Sequence, residues 1–418
     1  MKLPFLRVGV ALTSFAVAIA SAQESPYVLN RGREVSLSAD AAWKNCVALV
    51  QAAPVIVNTI DSSARLVTFT MPLGEAEVKD LVLDAKDLEK QPLTLHVTIW
   101  IQDARSGARI YVRAAPNGGG FFSHSNGLIE QRILDAIEKG ERWKPLPADS
   151  SPKPTLDTAP RLAEEAAVAF ATGSKQIVLN ASNSDLNVVT ISFMIRSADL
   201  AKYVSRMGKS YYPGIAHLTL WFQPSGSGTT VLTRTLIFES GSLSPLPLTS
   251  NGQLESAVLD AIRRRLAGAA DAPFAIGSDY RGKQDFWNVL FGTNATSNDS
   301  DAPRSLTRDL PVTIDKAWTA GLHVITQSKL IVAADRSAEA IEFLTAHTSQ
   351  IGTKYAVHRV IVRFSSTDFG TQMTILIPHA QETDEESEND MKLCSDQIGT
   401  ELFIKDRLKW LTEKKGME

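Results

Sequence analysis

The sequence predicts an α+β fold of three tandem repeats, each an antiparallel sheet packed on a long C-terminal helix in the order β-α-β-β-β-β-α. Three observations support this prediction. Two blocks of sequence occur twice in the same order, short turn segments join the predicted strands, and the closing helices carry a single apolar stripe. Short connections favour antiparallel neighbours, and an apolar stripe must lie against another apolar surface.

The repeats are clearest in the predicted strands. Residues 96–102 read HVTIWIQ and residues 217–223 read HLTLWFQ. Residues 126–137 and 251–262 follow at nearly the same distance, and both open with Asn-Gly and close with Asp-Ala-Ile. Two matched blocks in the same order indicate internal duplication.

A third copy is indicated by the opening helix. In each case a hydroxyl residue is followed by an aspartate and an Ala-Trp pair, and a predicted strand comes next. The matched residues are Ser38, Asp40, Ala42 and Trp43 in the first copy and Thr313, Asp315, Ala317 and Trp318 in the third.

These matches divide the chain into repeats and linkers. Residues 144–160 carry five prolines, so the first linker is expected to stay extended, and the second linker is largely polar. The predicted segments are a signal peptide over 1–22, repeats over 33–143, 160–268 and 305–414, a Pro-rich linker over 144–159 and a polar linker over 269–304.

The elements of the first copy follow from local signals. A short strand over 34–37 precedes a helix, for which Ser38 is a suitable N-cap, because its hydroxyl can accept a hydrogen bond from an unpaired amide. Asp40 lies in the first turn, where the helix dipole favours negative charge. Four strands are predicted next, followed by a helix over 128–139; the strands cover 55–60, 65–71, 93–102 and 108–114.

The closing helix explains why the strands must form a layer. Ile129, Ile133 and Ile137 recur at helical spacing, so one helix face is apolar. Its partner is expected to be the apolar face of residues 93–102. Each copy is therefore expected to be one sheet packed on its helix.

The Ala42-Trp43 and Ala317-Trp318 pairs, each leading into a strand, together with the element order, resemble the helix-grip domains of the BamC family, lipoproteins of the outer-membrane assembly machinery. The resemblance implies a helix-grip fold in three tandem copies and a role in outer-membrane protein assembly. The chain differs from that family in having a third copy and in lacking a lipid-attachment cysteine after the leader.

The first 22 residues predict export. Lys2 and Arg7 form a basic start, an uncharged apolar stretch follows, and Ala20-Ser21-Ala22 is a small-residue cleavage site. The protein is therefore expected to be periplasmic or associated with the outer envelope, and no transmembrane span is expected. Its net charge of −3 argues against a nucleic-acid partner, which would need a basic surface.

The matched strands contain the main candidate site. Alternate side chains of residues 96–102 and 217–223 point away from the helix, and each set includes a tryptophan. One interpretation is a partner-binding surface, because partly exposed tryptophans anchor protein partners. The other is that another repeat covers this face. The residues concerned are His96, Trp100 and Gln102 and their counterparts His217, Trp221 and Gln223.

Two further segments have compositions that could bind a partner or an ion. Phe286, Trp287 and Phe291 are apolar residues within a linker, so they could dock a partner or pack back on a neighbouring repeat. The acidic run over 382–390 lacks the alternating ligands and turn glycine of a calcium loop, and is expected to be a solvated loop.

Catalysis is not predicted. The histidines recur without a repeated Asp or Ser to orient them, and no zinc, phosphate-binding or nucleophile pattern occurs, so no cofactor is expected. Cys46 and Cys394 are either two separate apolar residues or one disulfide. The predicted function is a non-catalytic scaffold that binds other envelope proteins. The alternative is a binding protein for a lipid or another hydrophobic small molecule between sheet and helix.

Overall fold

The computed structural model describes most of the chain in several stretches. These stretches contain seventeen strands and seven helices, which form three antiparallel sheets with helices packed against them. The described residues are 32–73, 93–118, 121–122, 125, 127–141, 153–174, 176–205, 213–239, 247–269, 304–328, 330–335, 339–348, 355–377, 389 and 391–403.

Sheet 1 has the strand order β1-β5-β4-β3-β2, with β6 paired to β5. All its pairs are antiparallel. Its strands are β1 (Arg33–Val35), β2 (Ile56–Asp61), β3 (Leu66–Leu73), β4 (Leu93–Ala104), β5 (Gly107–Gly118) and β6 (Phe121–Phe122).

Sheet 2 has the order β12-β11-β10-β9-β8, with β7 paired to β11. Its pairs are likewise antiparallel. Its strands are β7 (Thr155–Leu156), β8 (Ile177–Asn183), β9 (Val188–Ile195), β10 (Gly214–Ser225), β11 (Gly228–Glu239) and β12 (Pro247–Leu248).

Sheet 3 has the order β13-β17-β16-β15-β14, again antiparallel throughout. Its strands are β13 (Arg304–Leu310), β14 (Leu330–Asp335), β15 (Ala340–Thr348), β16 (Tyr355–Thr367) and β17 (Gly370–Ile377).

Pairs of helices cover the inner faces of the sheets. α1 and α2 pack on sheet 1, α3 and α5 on sheet 2, and α6 and α7 on sheet 3, in three apolar cores. Apolar residues on one side of each helix drive this packing. The helices are α1 (Ala39–Ala52), α2 (Leu128–Lys139), α3 (Pro160–Gly173), α4 (Ser197–Leu200), α5 (Gln253–Leu266), α6 (Ile314–Ser328) and α7 (391–403).

In each of the three sheets, the turn between the second and third strands contains a residue in a strained backbone conformation. Arg65, Asn187 and Glu339 all have positive φ, near 50°. Each residue accepts a backbone hydrogen bond at its carbonyl oxygen, and the donors are Ile101, Phe222 and Phe364, at 3.1, 2.9 and 2.9 Å. Non-glycine residues rarely adopt this conformation, so the three residues mark corresponding positions in the three sheets.

A second shared feature is a glycine at the start of β5, β11 and β17. A Cβ atom built on Gly107, Gly228 or Gly370 would overlap the carbonyl oxygen of the first strand of the same sheet, on Val35, Leu156 or Leu310 respectively. The first strand can therefore approach the hairpin closely only if this position is glycine.

The helices α2 and α5 begin in the same way. Ser125 and Ser250 donate from their hydroxyls to Glu130 and Glu255 in the first turn, at 2.6 and 2.7 Å. Each serine oxygen also accepts the amide hydrogen of the glycine two residues later. A carboxylate near a helix N-terminus also suits the helix dipole.

The predicted α+β class with antiparallel sheets is confirmed. The helix predicted over 128–139 is α2, and the predicted N-cap Ser38 accepts from the amide of Ala41 at 3.2 Å. In the described residues no helix is long and apolar enough to span a bilayer. The predicted signal peptide lies outside the described residues.

The glycine at position 107 gives a first prediction. Gly107→Ala should lower the free energy of unfolding by about 2–4 kcal/mol, because the methyl group meets the Val35 carbonyl and the backbone has φ +151°. Gly226→Ala in the corresponding turn is the control, since its φ is +57° but no atom lies near its Cβ. It should lose only about 1 kcal/mol in urea unfolding. Equal losses would contradict the close-approach argument.

Candidate functional site

The outer faces of sheets 1 and 2, which carry the predicted binding residues, lie inside the molecule. Trp100 is 3% exposed and Trp221 is 1% exposed, and His96 and His217 are both buried. Gln102 and Gln223 are half-buried. The interpretation of Trp100 and Trp221 as partly exposed partner anchors is therefore wrong, because other parts of the chain cover them.

Sheet 2 places its outer face on the edge strand β2 of sheet 1. Trp221 joins the apolar core of sheet 1 together with Val188 and Leu232. The hydroxyl of Thr219 accepts the amide hydrogen of Val57 in β2 at 3.0 Å. Apolar packing and hydrogen bonds together define this first junction.

Polar side chains close the ends of the same junction. Arg234 on β11 donates from Nε to the carbonyl of Ala53, the C-cap of α1, at 3.3 Å. Asn183 donates from Nδ2 to the hydroxyl of Ser62 at 3.0 Å and to the carbonyl of Ile60 at 3.3 Å. The free carbonyls of a helix end and a strand end are thereby satisfied by sheet 2.

The two histidines of this region are held neutral. His96 Nδ1 lies 2.7 Å from the hydroxyl of Thr70, and His217 Nδ1 lies 3.0 Å from that of Ser192. Burial lowers the pKa of His96 from 6.5 to about 4. Burial, with a smaller effect of nearby His96, lowers the pKa of His217 to about 3. Both imidazoles are therefore neutral, because burial disfavours their charged form.

The outer face of sheet 1 makes a second junction, with α6 and α7. Trp100 stacks on Tyr111 with ring centroids 5.2 Å apart, and His323 of α6 packs against both rings at 6.2 and 5.5 Å. His323 Nδ1 is 3.0 Å from Glu401 Oε1, with side chains only 17% and 19% exposed. Strand β14 also packs against β2 and β4 here.

Sequence reasoning missed His323 and Glu401. A carboxylate beside an imidazole is an arrangement used in general-base catalysis. Here the ring packs against two aromatic side chains, and the pair links α6 to α7 where they meet sheet 1. Burial raises the pKa of Tyr111, while the neighbouring Arg109 opposes this rise. The cluster therefore connects α6 and α7 with the outer face of sheet 1.

The outer face of sheet 3 differs from the other two. Along β17 the burial alternates strictly, so Gln372, Thr374 and Leu376 are half-exposed on this face. On β16, Ile361 is half-exposed and Arg363 is exposed. This is the alternation of an antiparallel sheet with one face in solvent.

The other sequence predictions have different outcomes. Cys46 and Cys394 are free thiols buried in two different cores, so the disulfide interpretation is wrong. In the parts of the chain that the structure describes, no group of three or more His, Cys, Asp or Glu side chains could hold a metal ion. The segment with Phe286, Trp287 and Phe291 and most of the acidic run lie outside the described residues.

The buried histidines predict a pH dependence of stability. The unfolded chain binds protons near pH 6.5 whereas the folded chain does so only near pH 4 and 3, so unfolding takes up protons as the pH falls. The free energy of unfolding should therefore decrease as the pH falls below 6.5. At pH 5 it should be lower by about 2 kcal/mol per histidine. Urea unfolding of wild type and His217→Gln over this range measures it. The variant should show a shallower slope, and identical slopes would refute the assignment.

The first junction gives a separate prediction. Trp221→Ala should destabilise the protein by about 3–5 kcal/mol, because the indole is 1% exposed and its loss leaves a cavity between sheets 1 and 2. Trp221→Phe should lose clearly less. Calorimetric unfolding provides the measurement, and a loss below about 1 kcal/mol would show that the indole is not buried.

Comparison with known proteins adds little to this geometry. No family model and no curated protein matches the chain. Among solved structures, the di-domain ARO/CYC StfQ from the steffimycin biosynthetic pathway is 8% identical, covering 62% of this chain and 99% of its own, with a TM-score of 0.20. DynU16, from the dynemicin biosynthetic locus, is 10% identical, covering 60% and 96%, with a TM-score of 0.14. Such TM-scores carry no argument about fold or function.

Proposed function

We propose that the chain is a non-catalytic, exported scaffold protein of three tandem helix-grip units that binds another envelope protein through its third unit. The units are sheet 1 with α1 and α2, sheet 2 with α3 and α5, and sheet 3 with α6 and α7. Among the described residues, three of the six large apolar side chains that are exposed belong to the third unit.

The three-unit arrangement draws support from shared backbone details. The four long strands of each sheet have the same order, with the second strand at one edge and a register shift in that strand. The positive-φ turns and the close-approach glycines recur at corresponding places. Repetition of rare backbone features is hard to explain without duplication of one unit.

The observation that carries the binding proposal is Phe369. It lies in the two-residue turn between Thr367 and Gly370 and is 93% exposed. The corresponding turns of the other two sheets have Ser106 and Ser227 at this position. A phenylalanine fully in water at a hairpin tip stabilises nothing in its own chain, whereas aromatic side chains anchor protein partners.

Further apolar exposure belongs to the same unit. Leu393 and Phe403 on α7 are 52% and 64% exposed. The proposal includes export, with cleavage after Ala22, which is inferred from the leader sequence. Export is the reason that the proposed partners are envelope proteins. A role in outer-membrane protein assembly rests on the resemblance to BamC-type domains.

The alternative function is binding of a lipid or another hydrophobic small molecule between sheet and helix. In sheet 2 this space holds Leu218, Leu220 and Phe222 packed on Val258 and Ile262, all at most 2% exposed. A ligand would have to displace these side chains, which are close-packed. Native mass spectrometry of the purified protein distinguishes the functions, because a retained small molecule would favour the alternative.

Phe369 supplies the decisive test of the scaffold proposal. Phe369→Ser, which installs the residue of the other two turns, should leave the unfolding temperature unchanged, because the ring contacts solvent. It should reduce capture of specific envelope proteins from a detergent extract at least about tenfold, since a central aromatic anchor contributes 2 kcal/mol or more. Quantitative mass spectrometry of the captured proteins is the measurement.

The matched control is Ser227→Ala in the corresponding turn of sheet 2. It should capture the same proteins as wild type. If Phe369→Ser also captures them in wild-type amounts, Phe369 is not the anchor and the binding proposal fails. Capture lost equally in both variants would indicate an indirect effect on the fold, which the unfolding temperatures would reveal.

A further inference from the structure

The two junctions between units are versions of one arrangement. At the first, the outer face of sheet 2 packs on β2 and the end of α1. At the second, the outer face of sheet 1 packs on β14 and α6. Strands β2 and β14 are the corresponding edge strands of their sheets, and α1 and α6 are the corresponding helices. The units are therefore joined head to tail, in the spatial order 2, 1, 3.

A head-to-tail contact uses two different surfaces, so it does not end by itself. Among the described residues, no other unit covers the outer face of sheet 3, which is the free head of this series. The corresponding tail is the edge strand β8 with the end of α3. Strand β8 already contacts β2 in the first junction, just as β2 contacts both β8 and β14. A second copy of the chain carries the same tail. Residues on these two surfaces therefore determine whether copies of the chain associate.

The shared turns identify the residues at the free head. Ile101, Phe222 and Phe364 each donate a backbone hydrogen bond to the positive-φ residue of their sheet. The residues just before them therefore correspond, and they are Trp100, Trp221 and Arg363. Arg363 replaces the tryptophan that fills both existing junctions.

The neighbouring positions change in the same way. Counting back by two along the strands, Ile361 corresponds to Thr98 and Thr219, and Arg359 corresponds to His96 and His217. In the existing junctions Thr219 accepts the amide hydrogen of Val57. Isoleucine has no such acceptor, and an arginine cannot become neutral as the buried histidines do.

We propose that the outer face of sheet 3 is a terminal cap and that Ile361 and Arg363 prevent the tail of a second copy from docking there. A tail brought onto this face would enclose the Arg363 guanidinium without a built partner, which is unfavourable. Polar outer faces on terminal units keep repeat proteins soluble in the same way. The inference rests on the three-unit arrangement proposed above but not on the envelope partner.

The test is to restore the sequence pattern of the other heads. In sedimentation velocity the wild-type protein should keep the mass of one chain as its concentration is raised. The triple variant Arg359→His, Ile361→Thr, Arg363→Trp should instead associate, with a mass that increases with concentration. Arg264→Trp, which places a tryptophan at an exposed site on α5, is the control and should stay monomeric.

A tail variant establishes the geometry. Ser182, exposed on β8, corresponds to Ile60 of the occupied tail, so Ser182→Arg added to the triple variant should abolish association. Association that survives Ser182→Arg would overturn the head-to-tail arrangement. Wild-type self-association, or a folded triple variant that stays monomeric, would overturn the cap. If the triple variant unfolds, Arg363→Trp alone is read by the same criteria. A failed partner capture would leave these results unaffected.

Discussion

Burial of both faces of sheet 1 is the constraint on which the rest of the structure depends. Its inner face carries α1 and α2, its edge strand β2 meets the outer face of sheet 2, and its own outer face meets α6. In a sheet covered on both sides, each polar group that is not satisfied internally lowers the stability of the fold. Thr70 and His96 satisfy one another, whereas the buried Thr68 hydroxyl has no hydrogen-bond partner among the described residues.

This constraint is met differently at the two junctions. Between sheets 1 and 2, imidazoles remain neutral and threonine hydroxyls bridge strands, as in the 2.8 Å contact of Thr190 and Thr219. Between sheet 1 and α6, the partners are aromatic rings and the His323–Glu401 pair. The same backbone arrangement therefore tolerates two kinds of chemistry, provided that no charge is left buried alone.

The sequence predicted local structure better than it predicted what covers each surface. Helical spacing located α2, and strand alternation separated the inner face of β4 from its outer face. Alternation cannot show what lies beyond the second face, so a strand with His96, Thr98 and Trp100 resembled a half-solvated surface. His323 gave no signal, because its meaning comes from Glu401 and Tyr111, which only the fold brings close.

In the proposed three-unit arrangement, the departures in sheet 3 have one common cause. A unit whose outer face is covered must keep residues that fit its neighbour, such as Trp100 and Trp221. No other unit among the described residues covers the outer face of sheet 3, so Arg363 is tolerated there, and the turn of the same hairpin carries Phe369 instead of serine. Release from internal packing is what leaves surface residues free to be selected for a partner. The third unit can therefore acquire residues that bind a partner without a loss of stability.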